Sequence, residues 1–291
     1  MPSESNPSAS NDTAPSPHAQ PARYFVRFNL FERVLHGVLM ASFLGLAATG
    51  MPLRFNQTGW AERFSHFLGG FAAIRAFHLT FAVVMTLCFA AHVASLFRLV
   101  FIQKQRGVFW GPSSLIPQPR DFRDVYQQFR WFFGRGPKPS FGRFTYWEKF
   151  DYWAVFWGMA IIGGSGFVMW FSTFFAHFLP GWLFNFALLL HADEALLAVW
   201  FVFTIHFFNS HLRPEVFPMD LVMLTGKVSE ETLRQSRPLE HQALAEQGGF
   251  PSADVPPPPS WLKTFGRASG FSVIALGLFL LGLTLWSFLK E

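Results

Sequence analysis

Apolar residues in this chain come in long, nearly unbroken runs instead of alternating between the two faces of a helix. About 20 predominantly apolar residues are needed to cross a bilayer as a helix, and five runs meet that length. The pattern predicts spans at about 34–53 (VLHGVLMASFLGLAATGMPL), 76–102, 151–173, 183–209 and 269–289. The last of these (SGFSVIALGLFLLGLTLWSFL) contains no ionisable residue. The expected fold class is therefore an all-α membrane protein, four transmembrane helices in a bundle followed by a fifth, C-terminal one.

The polar stretches between the runs suggest how the chain is divided. Residues 1–22 (MPSESNPSASNDTAPSPHAQPA) are rich in Pro, Ser and Ala, with neither an apolar core nor a basic start. Such a segment reads as a disordered tail, not a signal peptide. The expected organisation is a tail over 1–24, a four-helix unit over 25–230, a connecting segment over 231–268 and the fifth helix at 269–289. The connecting segment ends in PSADVPPPPS (251–260), a stiff extended linker that would set the fifth helix apart as a detachable anchor or packing helix.

Composition excludes the soluble alternative. Of 291 residues, 51% are hydrophobic and 14% charged, whereas soluble domains carry about 25% charged residues. The net charge of +5 does not point to nucleic acid, because the basic residues gather in a few connectors. Residues 103–149 hold Lys104, Arg106, Arg120, Arg123, Arg130, Arg135, Lys138, Arg143 and Lys149, while 174–190 hold no Lys or Arg. The positive-inside bias then expects the amino terminus, the 103–149 loop and the 210–268 segment in the cytoplasm of a bacterium, with the carboxyl end periplasmic and the chain in the inner membrane. Arg54, Arg63 and Arg75 run against that bias. The single cysteine, Cys88, rules out a disulfide, a CxxC metal site or a cysteine-ligated iron–sulfur cluster within the chain.

Ionisable side chains inside a membrane span are costly, and they mark function by default. Here they are mostly histidines: His36 in the first span, His78 and His92 in the second, His191 and His206 in the fourth. Asp193 and Glu194, beside His191, are the carboxylates that accompany them. His78 and His92 are 14 residues apart, which at about 100° and 1.5 Å per residue places them on one helical face about 21 Å apart. By depth, His78 pairs with His191, and His36, His92 and His206 share the other level. Imidazoles matched in this way across helices are what two stacked haems require of their protein. The competing readings are a histidine-lined metal or proton transporter, a non-haem adaptor, and plain helix–helix hydrogen bonding.

Four segments carry a resemblance to a known family: ERVLHGVLMASFLGLAATG (32–50), IRAFHLTFAVV (74–84), RFTYWEKFDYWAVFWGMAIIGGSGFVMW (143–170) and FALLLHADEALLAVWFVFTIHFF (186–208). In this order they resemble the cytochrome b (gamma) subunit of membrane-bound formate dehydrogenase and the related subunits of nickel–iron hydrogenase and thiosulfate reductase. The resemblance implies a di-haem bundle with two haem b groups, the periplasmic one held by His78 and His191 and the cytoplasmic one by His36 and His206. Arg75 would pair with a propionate. A quinone, ubiquinone or menaquinone, would bind near the cytoplasmic haem by Thr145 and Glu148; His211, at the cytoplasmic end of the fourth span, is a candidate for the quinone, for a haem propionate or for capping the helix end. The partner would be a periplasmic iron–sulfur or multihaem c-type subunit, with electrons passing between it and the quinone pool. The substrate chemistry would lie on another subunit, since no flavin, molybdenum or nucleotide motif is present here.

Three features depart from the family. Thr145 and Glu148 replace amide side chains. His191 and His206 are 15 residues apart instead of 14, a misalignment of about 60° unless a π-bulge or a register shift absorbs the extra residue. His92 has no counterpart; it is an alternative partner for His206, or with His36 the holder of a third haem. A quinone-independent transmembrane cytochrome remains the functional alternative.

Overall fold

The computed structural model describes residues 23–246 and 255–289 of the chain. The expected tail over 1–22 and the first part of the Pro-rich linker lie outside the described residues. Five helices are long and apolar enough to cross a membrane: Leu30–Arg54, Phe71–Ile102, Tyr146–Trp170, Trp182–Leu212 and Ser260–Phe288. They are called spans one to five below. The fold is the expected all-α membrane bundle, with one two-stranded sheet added at its basic side.

Each helix starts ahead of the apolar run that announced it, for local reasons. Span one starts at Leu30 because Asn29 caps it. The Asn29 side chain accepts from the Glu32 amide at 3.0 Å, and Glu32 accepts from the Asn29 amide at 2.8 Å. Span three starts at Tyr146, where Thr145 and Glu148 form the same reciprocal cap. Span five starts at Ser260 and not at 269, since WLKTFGRA continues the helix outside the apolar stretch.

Span one packs along span two and span three along span four. The central apolar cluster joins Ala47, Met51 and Phe55 of span one to Val199, Phe203 and Phe207 of span four and to Leu280 and Leu281 of span five. The fifth span is thus not set apart from the bundle, as the linker suggested. Gly277 explains how closely it approaches: a Cβ there would stand 2.1 Å from the Phe203 ring. Thr284 lies 3.6 Å from the Met51 sulfur, and the Trp60 indole donates to Ser287 at 2.8 Å. Outward, the spans are apolar and uncovered. In span three only 6% of the most apolar window is buried within the protein, the surface that lipid solvates.

The basic side is closed by polar structure. Tyr24–Val26 pairs antiparallel with Lys227–Ser229, so Tyr24 belongs to a strand and not to the tail. The connecting segment after Ser229 forms two helices, Glu230–Ser236 and Pro238–Glu246. Gly226 precedes the second strand at φ +73°, and a Cβ there would meet the Phe28 carbonyl at 2.6 Å. Its own carbonyl accepts from Arg27 at 2.8 Å and Phe28 at 3.2 Å. Ion pairs pin this cap to the helix ends. Arg27 reaches Glu240 at 2.6 Å, Arg143 reaches Glu240 at 3.2 Å, Arg237 reaches Glu148 at 2.6 Å and Lys149 reaches Asp121 at 2.8 Å. Burial pulls the Arg237 guanidinium below its usual pKa, against the opposing pull of the Glu148 carboxylate.

Candidate haem-binding histidines

His78 of span two and His191 of span four face each other across the bundle on the side opposite the cap. Their ring centres are 6.2 Å apart and their planes cross at 74°. Two imidazoles whose Nε2 atoms meet one metal from opposite sides, at about 2 Å each, place their ring centres about 6 Å apart. The spacing is therefore that of a bis-imidazole site.

Hydrogen bonds at the other ring nitrogen fix the tautomer. Thr49 donates its hydroxyl proton to the Gly45 carbonyl at 2.6 Å, so its oxygen is left to accept from His78 Nδ1 at 3.0 Å. His191 Nδ1 donates to the Ile162 carbonyl at 2.9 Å, an atom that can only accept. Ile162 lies in a π-helical turn, Met159–Gly163, where the regular ladder is interrupted and a carbonyl is released for an outside donor. In both rings Nε2 keeps its lone pair, the arrangement by which outer-shell partners orient a metal-binding imidazole.

Two glycines make room for these rings. A Cβ on Gly50 would stand 3.3 Å from His78 Cε1, and one on Gly166 would stand 3.0 Å from His191 Cε1. The backbones of spans one and three thus lie directly against the two imidazoles. Arg75, one turn before His78, is exposed.

At the other level the fourth span carries His206. Its Nδ1 donates to Asp151 of span three at 2.9 Å, which again frees Nε2. His36 and His211 are both close enough to interact electrostatically with His206. The 15-residue step from His191 to His206 is taken up by a π-helical turn, Val202–His206. A π turn inserts one residue without rotating the face away, so the two imidazoles keep the alignment a 14-residue step would give. Two buried atoms in this neighbourhood have no hydrogen-bond partner among the described residues, Asp151 Oδ1 and His211 Nδ1. Orphaned buried polar groups are rare in folded chains and mark places where a further group belongs.

The remaining sequence candidates fall elsewhere. The His92 Nε2 is engaged by the Tyr152 hydroxyl at 3.0 Å, and its ring sits against Tyr152 and Phe156. That is the nitrogen which the other three histidines leave open. Thr145 and Glu148 are occupied by the cap of span three and by Arg237. The T-x-x-E pattern of that cap was readable in the sequence. Sequence reasoning overlooked Asp151, naming only Asp193 and Glu194 as carboxylates within the membrane. Asp193 is exposed, and Glu194 accepts from the Trp157 indole at 3.3 Å. The signal was present: Asp151 opens the third apolar run and carries a charge into it.

The donor set suits a porphyrin better than a bare ion. Among the described residues no group of three or more His, Cys, Asp or Glu side chains is placed to hold a metal. A porphyrin supplies four nitrogens itself and asks only two imidazoles of the protein, and paired, tautomer-fixed imidazoles are what these helices present.

Comparison with known proteins agrees. A search of curated proteins finds no significant match. A family model described as prokaryotic cytochrome b561 matches residues 27–213, which include His36, His78, His92, His191, His206 and His211. The chain belongs to the prokaryotic cytochrome b561 family, membrane cytochromes b that carry electrons on haem b.

Proposed function

We propose that this chain is the membrane cytochrome b subunit of a respiratory oxidoreductase, passing electrons between a periplasmic redox partner and the quinone pool through two b haems. The observation that carries the reading is the pair of levels on span four. His191 opposite His78 stands at one level, and His206, within electrostatic reach of His36, stands about 20 Å further along the helix at the other. In this reading His78 and His191 hold the haem on the side opposite the cap, and His36 with His206 holds the one near the cap. Arg75 neutralises a propionate of the former.

Bound haem supplies a one-electron iron couple. The protein's own residues do the rest. Thr49, the Ile162 carbonyl and Asp151 hold each imidazole in the tautomer that offers Nε2. The Asp151 carboxylate orients the His206 ring as the Ile162 carbonyl orients that of His191. Spans one to five keep water away.

On the capped side, His211 Nδ1 and Asp151 Oδ1 are the unpartnered polar atoms near His206. They support a quinone placed there, with hydrogen bonds to its oxygens and protons exchanged with the aqueous side beyond the cap. Thr145 and Glu148, committed to the cap, frame this region without offering free groups to it. By the concentration of basic residues, the capped side is cytoplasmic in the inner membrane, and the partner, an iron–sulfur or multihaem c-type protein, docks on the opposite face.

The test uses the purified chain in proteoliposomes, with reoxidation of reduced haem followed at the α-band on adding a quinone analogue. Reoxidation sensitive to a quinone-site inhibitor is expected. Reoxidation that the inhibitor leaves untouched would favour the quinone-independent alternative.

A further inference from the structure

The helix Pro119–Phe132, in the long basic loop between spans two and three, is amphipathic in the wrong sense for a globular surface. Its polar side chains face the protein: Asp121, Asp124 and Gln128 are buried. Its aromatic side chains face outward: Phe122 is 75% exposed, Tyr126 64% and Phe129 58%, and Phe133, just beyond the helix, 75%. At about 100° per residue these four fall within one sector of about 60°. A water-facing stripe of this kind is the pattern of an interaction surface, not of a solvated helix.

We propose that this helix lies in the headgroup layer of the membrane and binds lipid, its aromatic stripe in the acyl boundary and Arg123 and Arg130 on lipid phosphates. Two further observations select lipid over a protein partner. The first is charge. The sector next to the stripe carries Arg123 and Arg130, both exposed, and Arg135 follows the helix, while Lys138 beyond it is paired with Glu215. The helix acids are turned away from this rim, Asp121 bound to Lys149 at 2.8 Å and Asp124 near Arg120 at 3.7 Å. What remains outward is cationic and aromatic, matching the phosphates and acyl boundary of a bilayer surface.

The second observation is continuity with the lipid-facing spans. The Lys149–Asp121 pair ties the helix to the first turn of span three. The Trp153 indole, on the exposed side of that span, donates to the Leu115 carbonyl just upstream of the helix at 3.1 Å. The stripe is thus held where a bilayer must end, and exposed Phe150, Trp153 and Trp157 of span three continue the same aromatic surface. Tyr126 and Trp131 lie under the cationic groups of Arg130 at 6.0 Å and Lys138 at 5.5 Å, pairs suited to a membrane interface.

The experiment uses full-length chain on a Cys88→Ala background, nitroxide-labelled at Phe129→Cys or at Gln127→Cys on the other side of the helix. The protein is placed, with no other protein, in liposomes of phosphatidylcholine and phosphatidylglycerol. Collision with oxygen and with a water-soluble nickel chelate is read by electron paramagnetic resonance. The oxygen-to-nickel accessibility ratio is expected to be at least tenfold higher at residue 129 than at residue 127. In the Arg123→Ala, Arg130→Ala double variant that contrast should fall severalfold. Equal, nickel-accessible labels at both positions would overturn the proposal. So would a label at 129 shielded from both reagents, because that would mean protein covers the stripe.

Discussion

Replacing His191 with alanine is expected to halve the haem content of the purified chain. The imidazole pairs with His78 at the level remote from the cap, and neither Ser165 nor Ile162, its neighbours on span three, offers a replacement ligand. An alanine would also leave the His78 Nε2 lone pair with no imidazole opposite it. The other level does not depend on His191. His206 is fixed by Asp151 from a different turn of span three, so its haem should stay. A pyridine-haemochrome assay against protein concentration reads the result, and retention of the full complement would refute the ligand assignment. His92→Leu is the informative contrast. Its Nε2 is already engaged by Tyr152, so haem content should be unchanged; loss of a haem in this variant would make His92 a ligand.

Glu240→Ala is expected to be the most destabilising single change on the capped side. Glu240 is buried beneath Arg27, and both side chains are below one-tenth exposed. It also accepts from Arg143. Arg27 precedes span one and Arg143 precedes span three, so one carboxylate from the C-terminal segment fixes the entry of two spans. Removing it strands a buried guanidinium, a loss of about 3–5 kcal/mol. For a chain of this size that is a fall in melting temperature on the order of 10 °C. Glu240→Gln keeps the shape and an acceptor oxygen, and should lose less. Thermal unfolding of the detergent-solubilised protein, followed by the Soret band, measures both. Equal stability of Glu240→Ala and the unsubstituted chain would mean that the cap does not hold the bundle.

Much of this architecture was legible in the sequence because bilayer crossing demands a length of apolar chain that few other structures need. The five spans followed from that demand alone. Their ends did not, since the helices run on through capped polar turns such as Asn29 with Glu32, which hydropathy does not register. The histidines were legible for the same reason: an imidazole in hydrocarbon is conspicuous. The 15-residue step between His191 and His206 showed in the sequence as a misfit. Its resolution, a π-helical turn at Val202–His206, is one of the ways the extra residue could be absorbed, and no single residue signals which. Asp151 escaped because it sits at the edge of its run, where a charge looks like a boundary. The role of span five escaped too. A proline-rich linker suggests independence, whereas the small residue that seats the helix against Phe203, Gly277, is one glycine among several.

In the proposed arrangement, imidazoles from separate spans meet in pairs at two heights to hold iron. Electron paramagnetic resonance of the oxidised, purified chain tests it most directly. With the His78 and His191 ring planes 74° apart, a haem held by both would give a strongly anisotropic low-spin ferric signal, and two low-spin centres per chain are expected. A high-spin ferric spectrum, or a chain without haem, would contradict it.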